Sequence, residues 1–285
     1  MSVTFFSGAY TQSRLDRSTM LMTILLYTSA LLILATLLQA SVLPISEQSP
    51  EPVESTSEPS LELKRIKAKS GLNVITSCDQ PKTLAITFDD GPFHYTAELL
   101  DLLGREGIKA TFFMNGKNIG DITKFEDVVK RAFDEGHHVA SHTWDHRDLS
   151  QMNEGGVRRE MTRLDDTFMR ILGVRPVYMR PPFGYLNNAA EHYLASNGYK
   201  VVTWSIDTND WRHPRDIQAS MEFYRDQLSS SGAHGRGFIA LQHDTKADTV
   251  RHLVPAVIKY AREQGFEMVT VGACLGDPQS NWYRA

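Results

Sequence analysis

Residues 84–92 read Leu84-Ala85-Ile86-Thr87-Phe88-Asp89-Asp90-Gly91-Pro92. The first five are uncharged and include β-branched and aromatic side chains, the composition of a short buried strand. The run ends on two carboxylates and then on Gly-Pro, the punctuation of a turn. A strand sends successive side chains to opposite faces, but a break at Gly91-Pro92 lets Asp89 and Asp90 face one cavity. There, one carboxylate can ligate a metal while the other takes a proton. The plain alternative is an acidic turn that only ends a strand.

Outward from this stretch, short apolar runs alternate with amphipathic segments. The pattern predicts strands at 84–88, 110–114, 138–141, 177–179, 201–206, 238–242 and 268–271. Helices are expected between them at 96–105, 125–135, 156–171, 189–196, 217–229 and 253–263. Glycines at 107, 136, 173, 198 and 265 stand where a left-handed C-cap would turn each helix into the next strand. Strand–helix alternation of this kind means an α/β fold with a parallel sheet, and seven strands suffice to close or nearly close a barrel.

The whole chain has 285 residues, 41% hydrophobic and 22% charged, with a formal net charge of -4. The hydrophobic share excludes a mostly disordered protein, and the charge balance lacks the basic excess of a nucleic-acid binder. The averages hide a division. Arg14 and Arg17 precede an apolar run at 20–38, about 19 residues and long enough to span a bilayer as a helix. Residues 1–44 are therefore expected to be a signal peptide or a signal-anchor transmembrane segment, with a buried core helix as the alternative. The Glu-, Ser- and Pro-rich stretch that follows buries too little to offset its ordering entropy, so 45–77 is expected to be a disordered linker and 78–285 the folded domain. Of the two cysteines, Cys78 precedes the first strand and Cys274 follows the last. First and last strands of a closed barrel are neighbours, so the two can form a disulfide, which export permits; two buried free thiols are the alternative.

Four further segments fall where strands end, the position of sites in parallel βα folds. In His142-Thr143-Trp144-Asp145-His146, two imidazoles four positions apart suit one divalent metal if the segment is helical or tightly turned. Asp90, His142 and His146 would then make a two-His, one-carboxylate set with positions left open for water and substrate. In Arg180-Pro181-Pro182-Phe183-Gly184, the stiff backbone can aim an N–H at a substrate oxygen while Arg180 holds a carboxylate. Asp207-Thr208-Asn209-Asp210-Trp211 sets carboxylates beside an aromatic ring that suits the apolar face of a sugar. In Leu241-Gln242-His243-Asp244, His243 is a proton donor for near-neutral pH. Each has a structural alternative: exposed histidines, a rigid strand exit, an Asx-rich turn with a core Trp, a satisfied histidine.

In this order the five segments resemble the five motifs of the polysaccharide deacetylases of carbohydrate esterase family four, the NodB-homology family, over about residues 78–285. The tail from Val269 to Pro278, with Asn281-Trp282-Tyr283-Arg284, resembles that of fungal chitin deacetylases; these usually carry Glu before the cysteine, where this chain has Ala273. The resemblance implies a distorted (β/α) barrel with about seven parallel strands and a metal triad of Asp90, His142 and His146. It implies Asp89 as catalytic base, His243 as catalytic acid, Arg180 as the residue that positions the base, and Asp210, ahead of Asp207, as partner of the acid. Trp211 and Leu241 would wall the groove, and the Phe183 N–H would face the oxyanion. The implied cofactor is Zn²⁺, with Co²⁺ or another divalent transition metal possible in its place. The implied activity is release of acetate from N-acetylglucosamine residues of chitin or chitooligosaccharides by a monomer that is secreted, in the cell wall, or anchored as a type II membrane protein. Peptidoglycan or acetylxylan as substrate, a non-catalytic cell-wall binding protein and a structural membrane-anchored protein are the alternatives. No nucleic-acid partner is expected.

Overall fold

A computed structural model describes residues 72–229 and 237–285. The expected leader at 1–44 and the linker up to residue 71 lie outside the described residues. The last residues assigned to the linker, 72–77, belong to the barrel instead. Strand β1 (Val74–Ile75) pairs in parallel with Val201 and Val202, and Leu72 and Val74 are buried beside Tyr193 and Val201. Two apolar side chains with cover are enough to hold this short segment in place.

Strand β2 (Ser77–Cys78) precedes β3 (Thr83–Asp89), β4 (Thr111–Met114), β5 (His138–Ser141), β6 (Arg175–Pro176), β7 (Tyr178–Met179), β8 (Lys200–Val202), β9 (Ile206–Asp207), β10 (Gly237–His243), β11 (Glu267–Val269) and β12 (Tyr283–Arg284). The wall runs β10-β3-β4-β5-β7-β8, all parallel. The expected strand at 201–206 is two strands. β8 pairs with β7, and after Thr203, Trp204 and Ser205 the chain changes neighbour, so that β9 pairs with β10 and nearly closes the barrel. The interruption follows from where its polar groups go. The Thr203 carbonyl accepts from Arg180, and Ser205 exchanges hydrogen bonds with Ile239 through its N–H (2.9 Å) and hydroxyl (3.0 Å). The expected last strand also ends early, because Thr270 caps a helical turn at Val271–Cys274. β11 pairs with Thr83–Ala85 of β3, beside the stretch 87–89 that pairs with β4.

Helices α1 (Thr96–Glu106), α2 (Glu126–Asp134), α3 (Glu154–Leu172), α4 (Asn188–Ser196), α5 (Ile217–Leu228) and α6 (Val254–Glu263) accompany the strands. Leu84, Ile86 and Phe88 pack outward in one cluster with Leu99, Leu103, Val257 and Ile258 of the helices. The alternate residue Ala85 packs inward with Phe113, Ala140, Tyr178, Val202 and Ile239. Every wall strand is thus buried on both faces, as a parallel barrel requires. Trp282 stacks on the inward His138 with ring centroids 4.3 Å apart, so the C-terminal segment fills the end of the barrel opposite the loops that carry the five motifs. No helix among the described residues is long and apolar enough to cross a membrane.

Cys78 and Cys274 form a disulfide across 196 positions, and the Cys274 carbonyl also accepts the N–H groups of Asp79 (3.1 Å) and Gln80 (2.9 Å). The bond ties β2 to the turn that follows β11. Cys274→Ser is expected to cost about 2–5 kcal/mol of stability, read as a lower denaturation midpoint; an unchanged midpoint would mean the bond does not hold the barrel.

Candidate active site

The inward-facing register delivers the polar residues. Along β3 it passes Ala85 and Thr87 and ends on Asp89. Along β5 it passes His138 and Ala140 and reaches His142. Along β7 it passes Tyr178 and reaches Arg180, and along β10 it passes Ile239 and Leu241 and ends on His243. Period-two alternation in parallel strands thereby puts Asp89, His142, Arg180 and His243 at one mouth.

Asp90 joins them because the chain turns one residue earlier than Gly91-Pro92. Asp90 itself is left-handed, at φ 74°. Such a φ is uncommon outside glycine and concentrates at functional sites. Gly91 has its own reason: a β-carbon there would come within 2.3 Å of Asp244 Oδ2, which accepts the Thr96 hydroxyl at 2.5 Å. The 142–146 segment is a turn, not a helix, with Thr143 (φ 69°) and His146 (φ 54°) both left-handed and the two imidazole centroids 4.9 Å apart.

The donor atoms of Asp90, His142 and His146 all lie within 4.8 Å of one another. His146 Nε2 is 3.3 Å from Asp90 Oδ1. His142 Nδ1 lies 2.7 Å from the Arg180 carbonyl oxygen, which can only accept, so Nδ1 carries the proton and Nε2 a lone pair. That lone pair faces Asp89 Oδ2 at 3.6 Å and Asp90 Oδ1 at 3.9 Å. Burial, with His146 next, pushes the His142 pKa down to about 3, so the ring is neutral at ordinary pH. Acceptors turned toward one another in a buried place repel unless a cation lies among them. The residues therefore fit a divalent ion, and an imidazole fixed by a backbone carbonyl is the usual form of a metal-binding histidine.

Two charge pairs flank this cluster. Arg180 has no exposed surface; its Nη1 donates to Asp89 Oδ1 and to the Thr87 hydroxyl, each at 2.7 Å. Burial raises the Asp89 pKa, and the Arg180 guanidinium tempers the rise. The result is a carboxylate more basic than an ordinary aspartate. On the other side, His243 Nδ1 lies 2.7 Å from Asp210 Oδ1, and Nε2 faces the cluster, 4.0 Å from Asp90 Oδ2. Burial works against the imidazolium, but Asp210, helped by Asp90 and Asp89, outweighs it and pushes the His243 pKa up to about 9. Asp210 also accepts the His243 N–H and the Thr249 hydroxyl, each at 2.8 Å. Burial opposes its charge, yet the His243 cation and these bonds hold its pKa below the usual range.

Asp207 is not the partner of His243; it accepts the Asn209 N–H at 2.9 Å. Trp211 is 47% and Phe183 55% exposed, large apolar rings at the site's edge. Phe183 is left-handed (φ 60°), and its ring meets His146 with centroids 4.8 Å apart. Leu241 is buried, two residues below His243 on the inward face. Asn115, Asn118 and Thr249 lie outside the five motifs. The inward alternation from Phe113 would have pointed to Asn115, but no local signal marks the other two.

The chain matches the model of a family described as polysaccharide deacetylase over residues 76–202. It is 45% identical over 213 residues to a chitin deacetylase of a Pestalotiopsis species, covering 74% of this chain and 70% of that one. It is also 45% identical to a probable peptidoglycan-N-acetylglucosamine deacetylase of Arthroderma benhamiae over 74% of this chain, spanning 48% of that relative's length. Among solved structures, the chitin deacetylase of Colletotrichum lindemuthianum superposes with a TM-score of 0.72 at 35% identity, over 74% of this chain and 95% of that one. With a nearly closed parallel barrel and these relatives, the chain belongs to the polysaccharide deacetylase family.

Proposed function

We propose that the chain hydrolyses the N-acetyl group of N-acetylglucosamine residues in chitin or chitooligosaccharides, releasing acetate and leaving chitosan. The observation that carries this reading is the opposition of two pairs across one cluster: a carboxylate held by Arg180 and an imidazolium held by Asp210, with Asp90, His142 and His146 between them. Amide hydrolysis needs a base for the incoming water and an acid for the leaving amine; Asp89, made more basic by burial, and the His243 imidazolium are the candidates for these roles. Family membership makes the chain a hydrolase of amide bonds.

A divalent ion held by Asp90, His142 and His146, Zn²⁺ first and Co²⁺ second, would supply Lewis acidity that polarises the acetamide carbonyl and makes water more acidic. Asp89 takes the proton of the attacking water, and the Arg180 contact keeps its carboxylate aimed at the cluster. The backbone N–H of Phe183 is the proposed donor to the oxyanion. His243 gives the proton on Nε2 to the sugar nitrogen as the C–N bond breaks, while Asp210 stabilises the ring until that proton leaves. Trp211 offers a face to a pyranose, and Leu241 lies beneath the acyl group. We propose that the protein works outside the cytosol, secreted or at the cell wall; the Cys78–Cys274 disulfide and the apolar run at 20–38 support this.

The named peptidoglycan relative keeps a second polymer open. Acetate release compared across chitin oligomers, peptidoglycan and acetylxylan is expected to be fastest on chitin oligomers; faster release from peptidoglycan would reassign the substrate. Asp89→Asn and His243→Ala should each lower acetate release by about 10²–10⁴-fold, and wild-type activity in either would refute its role. Chelation should abolish activity and Zn²⁺ or Co²⁺ restore it; activity indifferent to the chelator would remove the metal from the reading. The acid form of His243 is present below its pKa of about 9 and lost as pH rises through it. Asp210→Asn keeps the shape but removes the charge, so the alkaline limb of kcat/KM should fall by about 1–3 pH units. An unmoved limb would show that another group sets it.

A further inference from the structure

The loop that follows β4 touches both segments that carry the candidate metal ligands. The Asn115 N–H donates to the Gly91 carbonyl at 2.8 Å, next to Asp90. The Asn115 side chain is buried, and its amide donates to the carbonyl oxygens of His142 and of Thr143, the latter at 3.0 Å. Gly116 and Lys117 add backbone bonds to the Thr143 (3.3 Å) and Trp144 (2.6 Å) carbonyls. Asn118 completes the arrangement: its amide donates to Asp90 Oδ1 at 3.0 Å and to Asn115 Oδ1 at 3.2 Å. Asp90 Oδ1 is also the oxygen that faces His146 and His142.

We propose that Asn115 and Asn118 are positioning residues for the metal cluster, setting its affinity for the ion by tying Asp90 to the His142–His146 turn. The inference rests on the reading of Asp90, His142 and His146 as metal ligands. Asp90, Thr143 and His146 all hold left-handed backbones, so their placement needs support from outside their own segments. Asn115 supplies it as a donor, since both amide hydrogens go to carbonyls of the turn. Asn118 supplies it at the ligand itself: one hydrogen bond to Oδ1 fixes the carboxylate rotation, with Oδ1 toward the imidazoles and Oδ2 toward His243. Removing such an outer partner ordinarily weakens metal binding by about 10–100-fold.

The test is Co²⁺ affinity of the whole protein, measured by competition with a chelator and by the visible spectrum of bound Co²⁺, alongside the melting temperature of the metal-free protein. Asn118→Ala is the principal variant, because Asn118 is on the surface and its loss leaves the core intact. Its dissociation constant should rise about 10–100-fold with the metal-free melting temperature unchanged, and saturating Co²⁺ should restore kcat. Lys117→Ala, an exposed neighbour on the same loop, should bind as the wild type does. Asn115→Asp keeps the shape, removes both donors and should weaken binding at least as much. An Asn118→Ala affinity within twofold of wild type overturns the inference, as does a weakening matched by Lys117→Ala. A wild type that binds no Co²⁺, or a His146→Ala variant that binds it equally well, instead overturns the reading of the cluster and takes this inference with it.

Discussion

A guanidinium with no exposed surface holds the mouth of this barrel together. Arg180 stacks on Phe113, 4.1 Å from the ring centroid; its Nη1 donates to Thr87 and Asp89 and its Nη2 to the Thr203 carbonyl. A buried charge of this kind is stable only when paired and hydrogen-bonded. Asp89 supplies the pair, so its Oδ1 is committed to Arg180. Asp90, left-handed and turned away from that contact, is then the carboxylate free to join the imidazoles. The same residue acts through its backbone, because the Arg180 carbonyl fixes the tautomer of His142. One residue thus orients the base through its side chain and a metal-ligand candidate through its main chain.

The fold makes this economical. Each wall strand is buried on both sides, and in β3, β5, β7 and β10 the inward alternation leads to a polar residue at the mouth: Asp89, His142, Arg180 and His243. On the far side of the cluster the Asp210–His243 pair repeats the logic of Arg180–Asp89 with the charges exchanged. Each pair sets one cationic group against one carboxylate, which leaves Asp90 to the two imidazoles of the cluster. Asp89 Oδ2 lies 3.6 Å from His142 Nε2 and His243 Nε2 lies 4.0 Å from Asp90 Oδ2, so the candidate base and acid both border the cluster.

Much of this was legible in the residues. Apolar runs with turn signals located the wall strands, and the motif residues at their ends are the ones that converge. The sequence misled where a tertiary contact overrode the local pattern. Residues 201–206 look like one strand, but the chain changes neighbours midway because Thr203 and Ser205 spend their polar groups on Arg180 and Ile239. The turn at Asp90 could not be separated from Gly91-Pro92, since only Asp244 packed on Gly91 explains the glycine. Residues 72–77 resembled the end of a linker because two buried side chains are too few to register as a pattern. The separate roles of Asp207 and Asp210 depend on which carboxylate the loop brings to His243, and the sequence contains both.

The mouth of the barrel offers one cation a place among Asp90, His142 and His146, between the two charge pairs. Anomalous scattering from a Zn²⁺-loaded crystal, recorded on both sides of the zinc absorption edge, tests it most directly. A single strong edge-dependent peak is expected within coordination distance of Asp90 Oδ1 and the Nε2 atoms of His142 and His146. A peak elsewhere, or none with those three side chains ordered, would contradict it.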